Sequence, residues 1–116
     1  AKETLVGETL NGYLEDISSV ETVHIPVPYA GTISKVITVL EGAISSADAT
    51  VDVKNSSAAS MGTLTITASG SAAGDVDTLS PSTNNTVTAD SFITVSSNGA
   101  STNQAKLRFT IVLDRS

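Results

Sequence analysis

Apolar residues in this chain recur mostly at every second position, the spacing of a half-buried strand, and seldom at helical spacing. The clearest run is the last. Leu107, Phe109, Ile111 and Leu113 alternate with Lys106, Arg108, Thr110, Val112 and Asp114, which predicts a regular strand closing a sheet. Val23, Ile25 and Val27 alternate with Thr22, His24 and Pro26, and the prolines at 26 and 28 place this run at an edge, because proline donates nothing to a ladder. Ala49, Val51 and Val53 begin another strand, and Leu64 with Ile66 and Ile93 with Val95 stand between hydroxyl residues in two more. Between Thr32 and Glu41 both faces read as apolar, with Ile33, Ile37 and Val39 on one and Val36 and Leu40 on the other. Such a strand is expected at the centre of a sheet or beneath a second subunit.

The remaining stretches break this pattern. Residues 1–19 hold scattered apolar positions, Leu5, Leu10, Tyr13, Leu14 and Ile17, interrupted by Gly7 and Gly12, and read as an extended N-terminal arm. Gly42 to Asp48 reads as a loop, and Ser69 to Asn85 as a long surface loop with Val76 and Leu79 as its only anchors. Seven or eight strands with frequent turns predict one all-β domain over residues 20–116, a β-sandwich of jelly-roll or immunoglobulin-like topology. No internal repeat points to a solenoid.

Composition narrows the function. The chain has 116 residues, enough for one modest core, which must be aliphatic, since there are two Phe, two Tyr, one Met and no Trp. Ser and Thr exceed a quarter of all residues, and Thr suits a half-wet pleat. A formal charge of −6 argues against nucleic acid as partner, which would require a basic stripe. With no cysteine there is neither a disulfide framework nor a thiolate metal site. No run approaches the 18 apolar residues of a membrane helix, and the start lacks the order of a secretory signal. Ala1 is the sort of residue left after removal of an initiator Met, which predicts a complete chain made in the cytoplasm, although a mature form trimmed of its signal would read the same.

Catalytic chemistry is sparse. His24 is the only histidine, and no G-x-S-x-G elbow positions a serine, so an enzyme is not expected and no catalytic, cofactor or metal residue is nominated. Asp75 and Asp77 in Gly74 to Asp77 stand two apart, but calcium takes six or more oxygens and the next acid is Asp90, so a solvated turn is the preferred reading. Asn55-Ser56-Ser57 and Asn84-Asn85-Thr86 match a glycosylation sequon in a chain where chance matches are common. Tyr29, beside a turn, is the best exposed aromatic for a sugar ring, and it stands alone.

Three stretches carry a resemblance: HIPVPYAGTISKVITVLEGAISSADATVDVK, GTLTITASGSAAGDVDTLSPSTNNTV and DSFITVSSNGASTNQAKLRFTIVL. Across residues 20 to 114 the chain is similar to small virion proteins of tailed bacteriophages, and resembles their head decoration, or cement, proteins. The resemblance implies an all-β subunit that stabilises the head by binding the outside of the capsid as a homotrimer, with the major capsid protein as partner. It implies no cofactor, nucleic acid or membrane, and a virion location after synthesis in the bacterial host cytoplasm. On this reading Leu5, Leu10, Tyr13 and Leu14 of the arm are capsid-contact candidates, and Ile33, Val36 and Leu40 are subunit-interface candidates. The alternative is a tail-fibre or baseplate domain that recognises a host glycan or receptor.

Overall fold

A computed structural model describes residues 7–115. Nine strands occur among them: β1 (Gly7–Leu14), β2 (Thr22–Val27), β3 (Gly31–Leu40), β4 (Ala49–Lys54), β5 (Ser60–Ile66), β6 (Val76–Leu79), β7 (Thr86–Val87), β8 (Ser91–Ser97) and β9 (Leu107–Arg115). One sheet has the order β1-β9-β3-β6, with β7 also on β3, and the other has the order β2-β8-β4-β5. Every pairing is antiparallel.

The pairings nest. β1 pairs β9, β2 pairs β8, β3 pairs β6 and β7, and β4 pairs β5, so the chain behaves as one long hairpin rolled onto two sheets. That nesting is a jelly roll, which decides between the two topologies left open by the strand pattern. The expected β-sandwich is therefore present, with its core between the sheets.

Strand faces follow the alternation closely. Leu107, Phe109, Ile111 and Leu113 of β9 are all buried, as are Ala49, Val51 and Val53 of β4 and Ile93 and Val95 of β8. Their alternate positions carry mostly hydroxyls and charges, with Val112 and Phe92 as apolar exceptions. Each aliphatic side chain buried this way contributes about 1.5–3 kcal/mol.

Three expectations are corrected. Residues 7–14 are no arm: β1 runs in unbroken register with β9 from Gly7↔Asp114 to Leu14↔Leu107, and Leu10, Leu14 and Ile17 are core residues. Gly12 does not interrupt β1, because a side chain there would meet Phe109 Cζ at 2.8 Å and Ile25 Cδ1 at 2.9 Å. The glycine lets neighbouring rings and methyls close over the strand.

The stretch expected as one long loop contains β6, whose Leu79 packs against the core while Val76 faces out. The third correction lies in β3, where the pairing with β9 slips between Ile33 and Lys35. This bulge adds a residue, so Ile33 shares the inner face with Val36, Thr38 and Leu40, all buried. Ile37 and Val39 then face outward, half-buried, so β3 is apolar on both faces and central in its sheet as expected, and only Ile33 changes sides.

Candidate functional site

Once the bulge sets the parity of β3, the outer face of the first sheet becomes the most apolar exposed surface of the two sheets. Register places Tyr13, Arg108, Val39 and Val76 side by side across four strands. The next row is Asn11, Thr110, Ile37 and Thr78, and the next holds Thr9, Val112 and Lys35. Val76 is 59% exposed and Tyr13 47%, with Ile37, Val39 and Val112 half-buried between them. The outer face of the second sheet instead carries Thr50, Thr63, Thr65, Thr94 and Ser96 with Asp52 and Lys54, and its exposed Phe92 sits beside Pro26 and His24 at the β2 side.

Cations border the apolar row. Lys106 Nζ lies 4.6 Å from the Tyr13 ring centre and the Arg108 guanidinium 6.0 Å from it, contacts in which the ring's negative face attracts the cation. Arg108 Nε also donates to Glu41 Oε2 at 2.7 Å, fixing the guanidinium flat along the sheet. Thr110 Oγ1 donates to Asn11 Oδ1 at 2.7 Å. An open depression of about 410 Å³ lies along Asn11, Gly12, Tyr13, Arg108, Phe109 and Thr110. Its residues offer stacking, ion pairing and apolar contact, and no nucleophile paired with a base.

Beside this face, residues Glu15 to Glu21 form a fixed acidic loop. The Glu21 carboxylate accepts the N–H groups of Glu15 and Asp16, each at 3.1 Å, and Asp16 accepts from the Ser18 hydroxyl at 2.6 Å and the Ser18 N–H at 2.9 Å. Those bonds, the Ser18 hydroxyl first, hold the Asp16 carboxyl below the usual carboxylate range. Ile17, fully buried, donates its N–H to the Ala105 carbonyl at 2.9 Å, while Ser97 Oγ donates to the Ser19 carbonyl at 2.7 Å. With both flanks held, Val20 stands 76% exposed near the loop's end, just before β2.

The residues nominated from sequence divide sharply. Leu5 lies outside the described residues. Leu10 and Leu14 point into the core and are not available as capsid contacts, whereas Tyr13, between them in the strand, is exposed on the outer face. Ile33, Val36 and Leu40 are at most 1% exposed, so they hold the sandwich together and cannot be the surface through which subunits meet. Ile37 and Val39 are the outward residues of that strand; the signal that would have found them is the bulge, which sequence periodicity does not display.

Elsewhere, the expected chemistry stays thin. His24 is exposed and packs edge-to-face on Phe92, ring centres 5.4 Å apart. Asp75 accepts the Ala72 N–H at 2.9 Å, and Asp77 sits on the inner side of β6, where burial first and the charge of Asp75 second raise its carboxyl above the ordinary range. Among the described residues no three acids, histidines or cysteines gather as a metal site. The sequon amides are structural: Asn55 Nδ2 donates to the Asn84 carbonyl at 3.0 Å, and Asn84 Nδ2 to the Ser60 carbonyl at 2.9 Å. Tyr29 is 41% exposed, with the Arg115 guanidinium 3.9 Å from its ring centre.

No protein-family model and no curated protein matches the chain. Solved structures that share its fold include two from phage capsids. One is a chain of the acidic stable capsid structure of Helicobacter pylori bacteriophage KHP30, with a TM-score of 0.63 and 16% identity over 94% of this chain and 87% of that one. The other is a chain of the cyanophage Pam1 capsid asymmetric unit, with a TM-score of 0.58 and 10% identity over 95% of this chain and 85% of that one.

Proposed function

We propose that this chain is a structural protein of a bacteriophage virion, a decoration or cement protein that sits on the outer capsid surface and stabilises the head. The observation that carries the reading is the pair of fold neighbours, each a chain of a phage capsid structure and each matched over at least 85% of its own length. The similarity thus extends over nearly the whole domain and is not confined to a shared pair of sheets. The reading is supported too by the surface described above, where rings, aliphatics and cations are displayed together on one sheet face.

In this proposal the partner is the major capsid protein, and the working unit is a homotrimer. Each sheet face makes a modest contact, but once one subunit is seated the others bind at high effective concentration, so release requires several contacts to open together. Pressure from packaged genome then acts against many such clamps at once. A jelly roll suits this task because its core is cross-linked by nested long-range pairings and transmits load without a hinge.

Adding the purified protein to heads assembled without it tests the proposal. Binding should saturate in fixed ratio to capsid subunits and raise the temperature at which the heads release DNA. Heads that neither bind the protein nor gain heat resistance would overturn the proposal.

A further inference from the structure

We infer that the outer face of the first sheet is a docking surface for a second copy of this chain, and that the part of that copy which docks is the acidic Glu15–Glu21 loop with its exposed Val20. The inference deepens the oligomer in the proposed function and rests on it. It assigns the contact to surface residues in place of the buried Ile33, Val36 and Leu40.

Charge is the first argument. The chain carries a formal −6, yet Lys106 and Arg108 stand together beside Tyr13 on this face, with Lys35 two rows along and Asp114 a row beyond it. Glu41 engages Arg108, while no carboxylate among the described residues lies within ion-pair reach of Lys35 or Lys106. The complementary charge is on the same chain, in a loop that holds Glu15, Asp16 and Glu21 and no cation. Opposed potentials of this kind fix orientation and register in an interface.

Shape and rigidity are the second. Loop residues that wave in solvent lose entropy on docking, whereas this loop is already held by the Ser18, Ser97 and Ala105 hydrogen bonds and by buried Ile17. Its close seat against Gly99 also matters, since a side chain there would come within 2.8 Å of the Val20 nitrogen. The loop therefore presents an exposed valine on a fixed platform, and the sheet presents Tyr13, Val39 and Val76 to receive it.

The loop starts directly after β1, is fastened to Ala105 next to Lys106, and leads to β2 of the other sheet, so it crosses one end of the sandwich. A contact between two different patches is either made twice in a two-fold dimer or repeated head to tail, which closes into a ring where the rotation allows. Sedimentation would give the number of copies.

The test measures the mass of the full chain in solution, by sedimentation velocity across a concentration series, for the wild type and for exposed-site variants. Val76→Asp and Val20→Asp, one on each half of the contact, should each shift the chain toward monomer, with circular dichroism unchanged. Glu15→Lys and Lys106→Glu should each weaken association about tenfold, and the double variant should regain most of it, because the exchanged pair restores opposite charge. A wild-type oligomer indifferent to all four changes would overturn this surface while leaving the virion reading intact. A wild type that stays monomeric at about 100 μM, far above the dissociation constant of a stable interface, would overturn self-association itself. Loss of head binding by a chain that still oligomerises would count against the virion reading alone.

Discussion

Replacing Leu14 by Ala separates a core strand from a surface arm within a single residue. Leu14 is fully buried at the end of β1, opposite Leu107 and in the same cluster as Ile17 and Leu40. Truncation removes three carbons from a site lined by packed core side chains that relax only partially, so the loss combines transfer and cavity terms, about 3 kcal/mol. With a urea dependence of about 1.5 kcal/mol per molar for a domain of this size, the midpoint should fall by about 2 M. Far-UV circular dichroism reads the transition. Tyr13→Ala is the matched control one residue earlier, since its ring is half exposed and its removal should cost less than about 1 kcal/mol. A Leu14→Ala midpoint within about 0.3 M of the wild type, a shift worth under about 0.5 kcal/mol, would refute the placement of β1 in the core.

Other perturbations probe other parts of the account. Gly31→Ala should cost about 2–3 kcal/mol in the same denaturation assay, because a side chain there would collide with the Asp114 carbonyl across the β3–β9 ladder and press on Leu113 Cδ1 at 2.9 Å. Val36→Lys, at a position 1% exposed, should abolish cooperative folding; a folded chain with altered oligomeric mass would show that Val36 is an interface residue after all. Asp77→Asn should raise the melting temperature at pH 7. The raised carboxyl makes the folded state favour the protonated acid, so the wild type gains stability as pH falls through the folded-state value, and the advantage of Asn should vanish below the ordinary carboxylate range. An advantage that grew toward low pH would contradict the assigned cause.

The legible parts of this fold are those in which one face of a strand meets the core without interruption. Leu107 to Leu113 announces β9 because it lies between β1 and β3 and each inward position is filled by a large apolar side chain. β1 is opaque for the opposite reason: its inward row is Leu10, Gly12 and Leu14, and the glycine that looks like a break makes room for Phe109 and Ile25. β6 has four residues with polar Asp77 and Thr78 in the middle, too short for periodicity to register, and it becomes a strand through the edge of β3. The bulge after Ile33 is a local choice of backbone with no residue-type signature, and it exchanges the inner and outer faces of half of β3. For the same reason the surface row of Val39 and Val76 was hidden, while Tyr13 could be nominated from its residue type alone.

Quantitative mass spectrometry of purified virus particles, counting this chain against the major capsid protein, tests the central proposal most directly. Head sites repeat in the hundreds under capsid symmetry, whereas a tail offers a few to some tens of places. The account expects a copy number of the same order as the capsid protein's. A few copies per particle would move the chain to the tail or its fibres, and its absence from the particle would contradict a virion role altogether.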